Sequence, residues 1–162
     1  MTNILSVGIS EFKVAAEPTV LVTYGLGSCV GIALFDPVAR MGGLAHTLLP
    51  TPVRDRENVP KSSKFTCWAV ELMVEELVNC GCATERLVAK LAGGASMFES
   101  QYRSARGGIG ERNVLAAKAA LEGSGIPLVA EDTGEDYGRS LEFNTATGII
   151  TVRALQRPLK QI

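Results

Sequence analysis

At 162 residues the chain is one domain's worth of sequence, long enough to bury about two-thirds of its unfolded surface without disulfide or metal staples. Its 16 Lys and Arg balance 17 Asp and Glu for a net charge of −1, which argues against a nucleic-acid or anionic-membrane footprint. Residues Met1 to Ser6 lack a basic segment leading into a long apolar one, and no apolar run approaches the length of a membrane span. The expectation is one cytoplasmic domain over residues 1–162, with no membrane insertion, no nucleic acid and no cofactor, and with a monomer as the default state.

In chain order, Thr19–Tyr24 is β-branched and aromatic and stops at Gly25, which predicts a strand. Val30–Phe35 predicts a second strand. Asp36 and Pro37 open a turn, because proline presets φ and cannot continue a ladder. Leu44–Leu49 predicts the returning strand, closed by Pro50 and Pro52. Residues 51–63 are the polar stretch and predict a surface loop. Ser62 or Ser63 is positioned to cap a helix over about Lys64–Asn79, in which Phe65, Ala69, Leu72, Met73 and Leu77 share a face. Gly81 suits the position after the helix end.

Arg86–Ala92 predicts a buried strand ending at Gly93 and Gly94, and the stretch on to Phe98 predicts a tight rim turn rather than an anion site. A second helix is expected over about Glu111–Glu122, ended by Gly123 and Gly125. Strands follow at Ile126–Glu131, Leu141–Asn144 and Gly148–Ala154, with residues 155–162 as an irregular tail. Two helices cannot cover both faces of one large sheet. The expected fold is therefore α+β or mixed α/β: a layered β-sandwich of mixed sheets with two main helices packed on one side.

Four cysteines in a chain with no secretory signal do not imply a disulfide framework. Cys80 and Cys82 resemble half a metal clip, but one histidine and no second close pair leave a tetrahedral zinc site short of ligands. The expectation is no metal, with the pair closing a helix. The acidic run from Glu131 to Asp136 does not match calcium-loop spacing. Gly25, Gly27 and Gly31 have the wrong spacing for a dinucleotide fingerprint and precede a strand.

The chain's single histidine, His46, lies close in sequence to Cys29. With the turn centred near Val38 and Ala39, facing residues have numbers summing to 77, so Gly31 faces His46 and Val30 faces Thr47. Cys29 and Gly31 then point to the same side, and Cys29 becomes a diagonal neighbour of His46 at roughly 7–8 Å along the backbone. A slip of one residue would put them on opposite faces. A thiol needs help to become a thiolate at neutral pH, and a neighbouring imidazole supplies it. Thr23 offers a hydroxyl to orient that imidazole. Around Cys29, Gly27, Ser28 and Val30 offer main-chain N–H groups to an oxyanion. Arg112 and Asn113, opening the second helix, are candidates for shaping a substrate cleft, with local capping and a solvated face as the alternative. The bland reading of Cys29 and His46 is a packed core thiol beside a hydrogen-bonded histidine.

The segments GLGSCVGIALFDP, GGLAHTLLP, AKLAGGASMF, IGERNV and AEDTGEDYGRS, in this order, resemble the chemoreceptor glutamine deamidases of the CheD family from about Ser6 to Arg153. The family's catalytic cysteine, histidine and threonine fall on Cys29, His46 and Thr23. The resemblance implies a mixed β-sandwich like that of glutamine-deamidating toxins and a prokaryotic chemotaxis setting. It also implies chemoreceptor cytoplasmic helices as substrate, with a CheC-type phosphatase as a candidate partner. Two positions depart from the family pattern: Glu135 stands in a run that often reads DxGG, and Cys67 stands where an acidic residue is common. Both bear on substrate and partner choice rather than on the chemistry. An adaptor for the phosphatase and a hydrolase of small amides are the competing classes.

Overall fold

The computed structural model describes residues 1–97 and 107–162. Two five-stranded mixed sheets stack face to face, and two helices cover the outer face of one of them. The strands are β1 (Asn3–Ser6), β2 (Phe12–Ala16), β3 (Thr19–Leu26), β4 (Val30–Asp36), β5 (Met41–Thr47), β6 (Val88–Gly93), β7 (Leu128–Thr133), β8 (Arg139–Asn144), β9 (Ile150–Arg153) and β10 (Lys160–Gln161). The helices are α1 (Thr66–Asn79) and α2 (Ile109–Gly123). One sheet has the order β1-β3-β8-β9-β10 and the other β2-β5-β4-β6-β7. The expected layered architecture is the one observed.

β4 is the central strand of its sheet, and its alternation explains the layering. Val30, Ile32 and Leu34 point to the helices and pack with Ala69, Met73, Leu77, Ala117 and Leu121. Ala33, on the other parity, packs with Cys29 and with Leu21, Leu26, Leu141 and Phe143 of the facing sheet. Gly31 shares that inward face. A Cβ there would sit 2.5 Å from Leu141 Cδ1, so glycine at this position lets the two sheets approach closely.

The β4–β5 hairpin has the expected register: Gly31 pairs with His46 and Val30 with Thr47. Asp36 sets the turn. It is fully buried, and its Oδ1 accepts N–H bonds from Val38 and Ala39, each at 3.0 Å. The same carboxylate takes Arg86 Nη2 at 2.8 Å and the Ala83 N–H at 3.1 Å. Burial pushes this carboxyl up, but Arg86 and the N–H groups of Ala39, Ala83 and Val38 outweigh it and hold it well below the usual carboxylate range.

Two expectations are corrected, and two strands are added. No serine caps α1: Phe65 holds the N-cap position without a side-chain bond, and Ser63 instead donates to the Ser10 carbonyl at 2.7 Å. The tail over residues 155–162 is not wholly irregular, because Lys160 and Gln161 pair with Val152 and Thr151. The N-terminal strands β1 and β2 add to those expected. β1 is exposed at all four positions and so carries no apolar alternation to announce it. β2 pairs along β5 through Phe12–Ala45 and Ala16–Met41, an edge position that a short mixed segment does not signal.

The turn after α1 matches its expected chemistry. Gly81 has φ +104°, its N–H bonds the Val78 carbonyl, and the Cys82 N–H bonds the Leu77 carbonyl, each at 3.0 Å. This is the Schellman arrangement, with Cys82 buried against the helix. Cys80 and Cys82 belong to that helix end. Among the described residues, no helix is long and apolar enough to cross a membrane.

Candidate active site

Thr23, His46 and Cys29 are all buried, and the first two meet where the two sheets face each other. His46, on β5, is wholly buried and stands opposite the side-chain-free Gly31. Its imidazole crosses to the facing sheet, where Nδ1 lies 2.7 Å from the hydroxyl of Thr23 on β3. The same hydroxyl lies 2.7 Å from the main-chain carbonyl of Val7. A carbonyl only accepts, so the Thr23 proton goes to Val7. Thr23 Oγ1 is then left to accept from His46, which places the ring proton on Nδ1. Nε2 is consequently the unprotonated nitrogen, and it is buried with no hydrogen-bond partner among the described residues. The backbone of His46 is fixed too: its N–H bonds the Glu11 carbonyl at 3.0 Å and its carbonyl takes the Ser10 N–H at 2.8 Å.

Cys29 lies immediately before β4, two positions from the residue opposite His46, and is 7% exposed. The chain around it is held by its carbonyls. Gly27 O takes the Ala95 N–H at 2.9 Å, Ser28 O takes Asn113 Nδ2 at 2.9 Å, and Cys29 O takes the Gly94 N–H at 2.8 Å. In a trans peptide the N–H points opposite to the C=O. With their carbonyl partners on the other side, the N–H groups of Ser28 and Cys29 donate to no main-chain carbonyl among the described residues, and the Cys29 N–H is turned toward its own thiol sulfur. Gly93 makes this possible. It has φ +107°, and a Cβ there would overlap the Cys29 carbonyl oxygen.

Burial works against the charged form of each group taken singly. Burial pushes the Cys29 thiol up, only partly offset by its own N–H. Burial pushes the His46 imidazole down. Neither group gains from ionising alone in this setting. Burial thus opposes a thiolate on Cys29 without a partner charge, and a proton passed from thiol to imidazole during reaction is compatible with both directions.

The remaining sequence candidates divide. Val30 is part of the β4 ladder, between Thr47 and Gly93, and its side chain packs toward the helices. Arg112 is half-buried on α2, and its buried Nε has no hydrogen-bond partner among the described residues. Asn113 does not line an open cleft. It is fully buried, and its Nδ2 also donates to the Leu48 carbonyl at 3.1 Å. Phe98, the last residue of the expected rim turn, lies outside the described residues. Sequence reasoning missed the Val7 carbonyl and the Gly94 and Ala95 N–H groups. These are main-chain atoms, and no side-chain motif marks them.

A cleft of about 490 Å³ runs beside this loop, lined by Gly94, Ser96, Glu111, Thr133, Glu135 and Asp136 among others. Its nearest tie to Cys29 is Gly94, whose N–H holds the Cys29 carbonyl.

A family model described as CheD chemotactic sensory transduction matches residues 48–154. A probable chemoreceptor glutamine deamidase CheD 2 from Geobacter metallireducens is 77% identical over 162 residues, covering all of both chains. A probable chemoreceptor glutamine deamidase CheD 3 from Geobacter sulfurreducens is 74% identical, again over the whole of both. The chemoreceptor glutamine deamidase CheD of Thermotoga maritima is 48% identical over 147 residues, 91% of this chain and 89% of that one. Thr23, Cys29 and His46 precede the stretch matched by the family model but lie inside the two full-length Geobacter alignments. With a model matching most of its length and relatives matching all of it, the chain belongs to the CheD family.

Proposed function

We propose that this chain is a cysteine hydrolase that deamidates glutamine side chains of chemoreceptors to glutamate, with Cys29 as nucleophile, His46 as base and acid, and Thr23 as the orienter of His46. The observation that carries the reading is the tautomer of His46. Its Nδ1–H is pinned to a hydroxyl already committed to Val7, so Nε2 stands bare as a base. A packed core histidine would have both ring nitrogens satisfied or one of them solvated. The names of the relatives support the substrate class.

In the first half-reaction Cys29 Sγ attacks the carboxamide carbon while its proton passes to His46 Nε2. The carbonyl π electrons move to oxygen, which the N–H groups of Ser28 and Cys29 face. His46 returns the proton to the amide nitrogen, the C–N bond breaks, and ammonia leaves a thioester. In the second half-reaction water attacks the thioester as His46 takes its proton. The C–S bond breaks, the proton returns to sulfur, and a glutamate side chain departs. A neutral receptor side chain thus becomes an anion, changing charge and packing on its helix. The same acyl-enzyme would form from a glutamate methyl ester, with methanol as leaving group.

The test is peptide mass mapping of a chemoreceptor cytoplasmic domain from the same cell after incubation with the protein. Conversion of defined glutamines to glutamate, lost in Cys29→Ala, is expected. Equal conversion by Cys29→Ala would overturn the reading.

A further inference from the structure

Asn113 sits on the first turns of α2, 85 residues from the carbonyl it holds, and is fully buried. Both hydrogens of its amide are used: one on the Ser28 carbonyl at 2.9 Å and one on the Leu48 carbonyl at 3.1 Å. Its Oδ1 faces the Thr66 hydroxyl at 3.2 Å. The orientation of the amide is dictated by chemistry. Two carbonyls converge on one end and only accept, so that end must be the NH₂, while a hydroxyl that can donate stands at the other.

The two carbonyls belong to the two halves of the candidate active site. Ser28 immediately precedes the thiol, and Leu48 follows His46 by two residues. One amide group therefore ties the turn that carries the nucleophile to the strand end that carries the base. It also sets a direction. Ser28 C=O and Cys29 N–H are the two poles of one peptide plane, so fixing the carbonyl on Asn113 aims the Cys29 N–H the opposite way. That N–H donates to no main-chain carbonyl among the described residues and is turned toward the Cys29 thiol.

We propose that Asn113 is a positioning residue, whose side-chain amide holds the Ser28–Cys29 peptide so that the Cys29 N–H is directed at the oxyanion of the reaction. The inference rests on the reading of Cys29 as the nucleophile of a deamidase. Asn113 touches no substrate and acts through the Ser28 carbonyl. It differs from a merely structural clamp in which step it affects. Attack on a carboxamide builds an oxyanion and needs the aimed N–H, whereas alkylation by iodoacetamide displaces iodide at a saturated carbon and needs only the thiol.

The experiment compares wild type, Asn113→Ala and Thr66→Val in two assays. One measures kcat and KM for deamidation of the chemoreceptor cytoplasmic domain, and the other the iodoacetamide rate at the Cys29 peptide, read by mass spectrometry because Cys67, Cys80 and Cys82 are also free thiols. Asn113→Ala is expected to lose about 10²-fold in kcat, the scale of one oxyanion donor, with KM within about twofold and the alkylation rate within about threefold. Thr66→Val removes a hydroxyl of the same network that does not touch Ser28, and is expected to keep kcat within about twofold. If Asn113→Ala does not fold, Asn113→Ser, which retains one donor at that position, takes its place with an expected loss of about tenfold in kcat. A wild-type kcat in the Asn113 variant overturns the proposal. So does a fall in alkylation that matches the fall in kcat, since the thiol itself would then be displaced. Absence of deamidation by the wild-type protein instead overturns the deamidase reading, whatever Asn113 does.

Discussion

Thr23 Oγ1 lies 2.7 Å from His46 Nδ1 while donating its own proton to Val7 O, also at 2.7 Å. One hydroxyl thereby bridges the two sheets and selects the ring tautomer. Thr23→Val keeps the shape but removes the hydroxyl, leaving a buried ring N–H and a main-chain carbonyl without partners. Kinetics of glutamine conversion should show kcat down by about 10- to 100-fold, with stability lowered by about 1–3 kcal/mol in a urea titration. Thr23→Ser should recover most of both. Full activity in Thr23→Val would mean that the tautomer is set by something else.

The pH dependence follows from the directions of the two shifts. His46 is held below its ordinary value of 6.5 by burial, so the folded protein keeps a neutral imidazole where the unfolded chain already takes a proton. Stability from this group is present above about pH 6.5 and is lost as pH falls toward the lowered value. Activity of the folded protein should hold through that interval and fall only near the lowered value, where Nε2 takes its proton and can no longer serve as base. A urea midpoint that did not drop between pH 7.5 and pH 5.5 would count against the neutral, buried ring.

Cys29 behaves in the opposite sense. Burial raises its thiol above the ordinary 9.0, so the unfolded chain loses its proton first as pH climbs. In the free protein, iodoacetamide should label Cys29 slowly at pH 7, accelerating only on the alkaline side. Rapid labelling well below pH 8 would indicate a pre-formed thiolate–imidazolium pair and a different resting state from the one the burial favours.

Gly93→Ala would force a side chain onto a residue at φ +107° and into the Cys29 carbonyl oxygen. The neighbouring bond from Gly94 N–H to Cys29 O would open. The expected result is a loss of about 1–3 kcal/mol in stability and a fall in kcat of at least about tenfold, beyond what the unfolded fraction explains. Circular dichroism melting alongside single-turnover kinetics separates the two effects.

Asp36→Asn probes the fold without the chemistry. It breaks a buried carboxylate's pairing with Arg86 while leaving an oxygen for the Val38 and Ala39 N–H groups. A loss of about 2–4 kcal/mol is expected, with the folded molecules still turning over normally. Loss of activity in a stable Asp36→Asn protein would show that this turn controls the register of His46 more delicately than the seven ladder pairs suggest.

What was legible in the sequence was mainly local. Asp36 and Pro37 mark a turn, a turn sets a hairpin register, and a register with period 2 places Gly31 opposite His46 and Cys29 on the same face. The glycines at helix ends were readable for the same reason, since Gly81 supplies a positive φ wherever a helix stops in this way. Residue chemistry made Thr23, Cys29 and His46 candidates, and the resemblance to the CheD deamidases narrowed the choice to them. The tertiary structure decided the rest. The strands β1 and β2 and the pairing of Lys160 sit at sheet edges or far from the core, where burial writes no alternation into the sequence. The bond from Thr23 to His46 spans two different sheets, and the Val7 carbonyl that fixes its direction is a main-chain atom that any residue could supply. Asn113, a cleft candidate when read in one dimension, became a buried amide joining Ser28 to Leu48 only once α2 packed against β4. Short-range order follows from dihedral preferences and side-chain period, but which donors meet which acceptors across the core is settled by the packing of the layers.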